Sequence, residues 1–153
     1  MRNTTRLCLV IAGGLFLSGC ESEPAEEATL EIPADTIAAT ISLADVAGTW
    51  DMRSVPVSGD TTATVYQVIA TADSWTMMFA DRDPVVGVAM VSGDSVIVDA
   101  GPYESVRRDG LMVTTHAVYW LEGDRLTGKA IARYATTEAD SVLHLTTEGI
   151  RAQ

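Results

Sequence analysis

Histidine and cysteine are scarce in this chain, two of each in 153 residues, and that scarcity removes most metal and nucleophile chemistry from consideration. His116 and His144 have no cysteine and no nearby acidic triplet to complete a metal set. The sequence also lacks a Gly-x-Ser-x-Gly elbow, a His-Glu-x-x-His helix and a phosphate-binding glycine loop. The aspartates at 60, 94 and 124 stand beside glycines and are explained by turns. No catalytic residue, cofactor or metal is therefore expected, and the chain reads as a protein other than an enzyme. Positive charge is short as well: ten Lys and Arg against 21 Asp and Glu give a net charge of −11, which argues against nucleic acid as a partner.

What is present begins with an address. Arg2 and Arg6 precede an apolar run, 7–17, that is too short to span a bilayer. It ends in Leu17-Ser18-Gly19-Cys20, with small residues directly before a cysteine. This segment resembles the lipobox of bacterial lipoprotein signal peptides. The resemblance implies a signal peptide over 1–19, cleavage before Cys20 and lipidation of Cys20, which would anchor the chain in a membrane. Glu21 follows the cysteine where the family's inner-membrane retention signal typically has aspartate, so the resemblance implies the outer membrane, with the periplasmic face expected. Cys8 would leave with the signal, so Cys20 would be the one mature cysteine, and the fold has no internal disulfide to stabilise it.

Residues 20–41 read as a tether. Glu21, Glu23, Glu26, Glu27, Glu31 and Asp35 bring six acids and no base, with Pro24 and Pro33 among them. Such a composition buries little and repels itself. As a flexible chain, 20–47 would span about 30 Å, enough to hold a domain off a lipid surface. The stretch 36–41 suits a short helix and disordered chain equally. Ser42-Leu43-Ala44-Asp45 has capping-box spacing and predicts one helical turn ending at Gly48. Loss of Arg2 and Arg6 would take the net charge to −13. From Gly48 onward fourteen acids face eight bases, a net charge of −6.

The domain, residues 42–153, is organised by hairpins. The clearest spans 113–134 around Gly123-Asp124, a pair suited to a type II′ turn. That turn sets Leu121, Tyr119, Ala117, Thr115 and Val113 opposite Leu126, Gly128, Ala130, Ala132 and Tyr134, a largely apolar face. Trp120, Val118, His116 and Thr114 then oppose Thr127, Lys129, Ile131 and Arg133 on a more polar one. One register sorts both strands, and a one-residue slip would swap the faces. A second hairpin joins 50–57 to 61–70 through Ser58-Gly59-Asp60; its expected register puts Trp50 against Ile69, Met52 against Gln67 and Ser54 against Val65, with Pro56 marking a rim. Further strands are expected at 75–81, at 85–91 and 95–100 around Gly93-Asp94, and at 142–151. The total is about eight short antiparallel strands, an all-β fold of barrel or sandwich type.

Gly48-Thr49-Trp50 opening the first strand, after a helical turn, and Arg151 near the end of the last, resemble the lipocalin and calycin pattern. The resemblance implies an up-and-down barrel with Trp50 at its closed end, Arg151 packed over it, and Gly48 as the glycine before the tryptophan. The shorter strands and the lack of a long helix after the barrel set the chain apart from larger members.

With strands running up and down, the turns near 58–60, 82–84, 101–110 and 136–140 share one rim, opposite Trp50 and the tether. The longest of these carries Tyr103, Glu104, Arg107 and Arg108, with Arg82 and Asp83 near by, a set suited to an anionic or polar small molecule or to a solvated loop. Two functions follow. One is a lipid-anchored binding module for a small hydrophobic or amphipathic molecule, with a pocket lined by Met52, Val65, Tyr119 and Tyr134. The other is a filled, non-catalytic barrel that engages another envelope protein through Trp120, Val118 and Ile131 on its outer face.

Overall fold

Two glycines hold the geometry that the turns require. Gly93 and Gly123 take φ of +60° and +62°, while Asp94 and Asp124 stay out of the left-handed region, which is the type II′ pattern. In the computed structural model, which describes residues 41–153, these turns join the fourth strand to the fifth and the sixth to the seventh. The strands are β1 (Gly48–Pro56), β2 (Thr64–Ala70), β3 (Trp75–Met78), β4 (Val85–Ser92), β5 (Ser95–Glu104), β6 (Met112–Glu122), β7 (Arg125–Tyr134) and β8 (Val142–Arg151). Each pairs antiparallel with its neighbours in sequence, and β8 returns to β1, so the sheet closes into an eight-stranded up-and-down barrel. The expected signal segment, Cys20 and the expected tether as far as residue 40 lie outside the described residues.

The β6–β7 register follows the sequence reading pair for pair, from Glu122 opposite Arg125 to Val113 opposite Tyr134. The β1–β2 register does not. Trp50 pairs with Val68, Met52 with Tyr66 and Ser54 with Thr64, one residue from the expected alignment. Because side chains alternate, that step turns the opposite face of β2 inward. Tyr66, Val68 and Ala70 are buried, while Val65 is 70% exposed and belongs to the outer surface. Both faces of β2 carry apolar residues, so alternation alone could not decide between them. The connection decides: Thr62 donates from its N–H and its hydroxyl to Asp60 Oδ1 (2.9 and 2.6 Å), and this side-chain turn makes the link from Pro56 to Thr64 longer than a tight hairpin.

Ser42–Asp45 forms turns with i to i+3 bonds, Asp45 N–H to Ser42 O and Ala47 N–H to Ala44 O, in place of a full helical turn. Asp45 Oδ2 accepts from the Ser42 N–H and hydroxyl at 2.8 and 2.7 Å, and these bonds hold its carboxyl below the usual range. Val46 behind this turn is fully buried and accepts the Trp50 indole N–H at 2.8 Å. The barrel floor is thereby closed by Val46, Trp50 and Leu126, all at 0% exposure. Above it Met52 lies across Gly149, where an added Cβ would meet its sulfur, and Tyr119 lies across Gly128, where an added Cβ would come within 2.6 Å of the ring.

Candidate functional site

A β-bulge builds the upper half of the interior. Ala100 pairs with Thr115 and Tyr103 with Val113, so two residues on β5 face one on β6. Unbulged pairing would carry the inward parity of Ala100 to Pro102 and Glu104. The extra residue shifts it and brings Tyr103 into the barrel beside Val113. Gly101 makes the bulge possible: its φ is +112°, and an added Cβ would lie 2.7 Å from Val113 O. The sequence reading placed 101–110 in a loop, although Gly101-Pro102 was a bulge signal.

Above Tyr119 a cavity of about 60 Å³ opens. Aromatic rings form its walls: Tyr66, Phe79, Tyr103, Tyr119 and Tyr134. Tyr66 and Phe79 lie 5.0 Å apart, and Phe79 stacks on Tyr103 at 6.0 Å. Small side chains leave the space open, notably Ala117, Ala130 and Ala132, with Leu145 beside them. Ser54 and Thr115 supply hydroxyls, and Ser54 Oγ lies 3.1 Å from Tyr66 OH. All four tyrosines of the chain line this one cavity. Burial raises the phenol pKa of Tyr66 and Tyr103, and raises that of Tyr119 well above its usual value, so these hydroxyls stay neutral.

The loop after β5, residues 105–111, crosses the mouth, and arginines fasten it on several sides. Arg107 Nη1 donates to Thr62 O and Thr64 Oγ1, both at 2.8 Å, while Nη2 lies 3.5 Å from Asp60 Oδ2. These partners belong to the β1–β2 link and to the first residue of β2, on the far side of the barrel from β5 and β6. Arg108 covers the Tyr134 ring at 4.1 Å and bonds Asp140 Oδ2 at 2.7 Å, reaching the β7–β8 link. Arg82, from the β3–β4 link, donates to Glu104 O at 3.1 Å. Buried Ser105 accepts from the N–H groups of Arg107 and Arg108 at 3.0 and 3.1 Å, which shapes the loop itself. The guanidinium groups that suggested an anion site at the rim are thus engaged in holding the loop.

Of the expected pocket residues, Tyr103, Tyr119, Tyr134 and Arg107 line the cavity, and Arg108 sits on Tyr134. Met52 is fully buried below it, and Val65 faces outward on β2; neither lines it. Tyr66 and Phe79 escaped the sequence reading, the first through the β2 register and the second because the strand expected over 75–81, which contains it, was given no register; β3 itself ends at Met78, and Phe79 follows at the parity of buried Trp75 and Met77. On the outer face His116 Nδ1 lies 2.7 Å from Asp99 Oδ1, and His144 is exposed. Among the described residues no three of His, Cys, Asp and Glu come together as a metal site.

No protein-family model matches the chain, and no curated protein and no solved structure matches it significantly.

Proposed function

We propose that the protein is a lipid-anchored envelope lipoprotein of lipocalin type, a binding protein rather than an enzyme, which holds a small hydrophobic or amphipathic molecule in the tyrosine-walled cavity. The observation that carries this reading is the cavity: aromatic and aliphatic walls, a few neutral hydroxyls, and a mouth covered by one loop. About 60 Å³ is room for a handful of waters or a compact group of similar bulk, well short of a drug-sized pocket. The ligand is accordingly small, or enters with only one end. Neutral hydroxyls and engaged arginines favour an uncharged molecule. The lipobox at Cys20 supports anchoring to the outer membrane, and Arg151 over Trp50 supports the lipocalin likeness.

The test is calorimetric titration of the full chain in lipid nanodiscs with phenol and with cyclohexanol, beside the Ala130→Leu variant, which fills the cavity. The reading expects saturable binding of at least one molecule by the native chain and none by the variant. Equal heats from both proteins would refute it.

A second reading, engagement of another envelope protein, is favoured by the outer surface. The side chains first expected there, Trp120, Val118 and Ile131, are half-buried. Val86, Val88 and Met90 on β4 are 68%, 66% and 47% exposed and form a barer apolar row.

A further inference from the structure

β3 is four residues long and β4 is eight. Pairing between them runs only from Met77 opposite Val85 to Trp75 opposite Gly87. The rest of β4, as far as Ser92, is paired with β5 on one side and with no strand on the other. The Gly93-Asp94 turn fixes which backbone groups this leaves free. Ser92 and Ser95 close a two-residue turn, so Ser92, Met90 and Val88 point their N–H and C=O groups toward β5. Ala89 and Val91 point theirs the other way, and among the described residues no backbone partner meets them. The side chains agree. Ala89 and Val91 share the inward parity of buried Gly87 yet are half-exposed, as they would be where no strand continues alongside.

Barrels normally abolish edges, and exposed edges are normally guarded by charge, proline or a bulge. This one has no such guard, because the stretch Val85–Ser92 holds no charged residue and no proline. We propose that the free edge at 88–92 is a docking site for an extended segment of a partner protein, which adds a short strand beside β4. The unpaired ladder specifies a backbone in β conformation. The flanking side chains specify its character. Val88 and Met90 lie on the outer side of the notch and Ala89 and Val91 on the inner, so the added strand carries uncharged, β-branched residues. Asp73 in the β2–β3 turn and Asp94 in the β4–β5 turn bracket the notch at the floor end; both are exposed, and neither has an ion-pair partner among the described residues. A lysine or arginine at the end of the incoming segment answers them. The same acidity, with −6 on each barrel from Gly48 onward, disfavours a second copy of this chain as occupant. This site names the surface and partner class for the second reading and does not depend on the cavity.

The experiment is hydrogen exchange, read by mass spectrometry over 88–92, on the full chain in lipid nanodiscs. The probe is a capped hexapeptide of alternating valine and threonine ending in lysine. The proposal expects the Ala89 and Val91 amides, which the barrel leaves unbonded, to exchange fast in the free protein and at least tenfold more slowly with saturating peptide. Ala89→Pro removes a free N–H that the barrel does not use, so it should leave the fold intact and abolish the slowing. Met90→Lys should weaken it while touching no backbone group, and serves if the proline variant misfolds. Slow exchange at Ala89 and Val91 without peptide would overturn the proposal, whether it comes from the chain's own cover or from a concentration-dependent dimer. So would a peptide that leaves exchange unchanged in the native protein, or one that acts equally on both variants. Loss of phenol binding would refute the cavity and leave this result untouched.

Discussion

The guanidinium carbon of Arg151 sits 4.3 Å from the centroid of the Trp50 ring, and the same guanidinium donates to Ala47 O at 2.8 Å and Asp45 O at 2.9 Å. One side chain thus joins the last strand, the first strand and the turn that closes the floor. Gly48 allows the approach, since an added Cβ would lie 2.8 Å from Arg151 Nη1. Arg151→Lys keeps the charge but loses the flat face and the fork. It should cost about 1 to 2 kcal/mol in chemical denaturation, reflecting a part-buried bond lost at Ala47 O and an exposed one at Asp45 O. Trp50→Ala, at a site with 0% exposure, should cost about 3 to 5 kcal/mol. A loss below about 1 kcal/mol for the tryptophan variant would contradict the closure.

Two glycines under large side chains should respond unequally to alanine. At Gly128 the new methyl would face Val118 O, a backbone atom at 2.6 Å, as well as Tyr119 and Thr147. At Gly149 it would face the flexible end of Met52, which can move aside. Gly128→Ala should therefore destabilise by about 2 to 3 kcal/mol and Gly149→Ala by about half that. Thermal denaturation of the pair checks the order, and a reversed order would place the rigid packing elsewhere.

The mouth loop should loosen in acid. Thr62 holds the Asp60 carboxyl below its usual 3.8 through its hydroxyl and N–H, and Arg107 adds a smaller share. A depressed carboxylate supports the folded arrangement above 3.8 and loses that role as the pH falls through its lowered value. Exchange of residues 105–111, corrected for intrinsic rates, should stay flat from about pH 7 to pH 5 and accelerate below about 3.8. Arg107→Ala should show the acid behaviour at neutral pH, with binding and release of a cavity ligand both faster and affinity less affected than either rate.

Alkali should act through the interior. Burial raises the phenol pKa of Tyr66, Tyr103 and Tyr119 above 10.0 in the folded chain, so above that pH the unfolded chain has released protons that the native chain retains. Stability must fall as pH rises past 10.0, by up to about 1.4 kcal/mol per pH unit for each such tyrosine. Tyrosinate absorbance in the native protein should lag behind that of the denatured protein and jump at unfolding. Coincident titration curves would place these hydroxyls in solvent.

How much of this was legible in the sequence depended on how many signals agreed. Around Gly123-Asp124 the turn chemistry and the alternation point to one register, and β6–β7 was readable to the residue. On β2 the alternation is silent, because Val65 and Ile69 are as apolar as Val68 and Ala70. There the outcome rests on the side-chain bonds of Asp60 to Thr62, which spacing does not reveal. Trp50 and Arg151 were paired through the lipocalin resemblance, and the structure stacks one on the other. The cavity was legible only in part. Tyr119 over Gly128 and the alanines of β7 could be placed, but Tyr103 enters through a bulge and Phe79 lies in a stretch whose register the sequence did not assign. The free edge of β4 depends on where β3 begins and on how β4 aligns with it; the start at Trp75 was legible, but the pairing of Trp75 with Gly87, which leaves 88–92 beyond it, was not.

The central claim is that the tyrosine-walled cavity carries a small molecule in the cell envelope. Native mass spectrometry of the full chain, extracted gently from the cells that produce it, tests it most directly. The account predicts excess mass that denaturation releases as a small uncharged compound, and that is missing from Ala130→Leu. A bare protein mass, persisting after exposure to envelope lipids and metabolites, would contradict it.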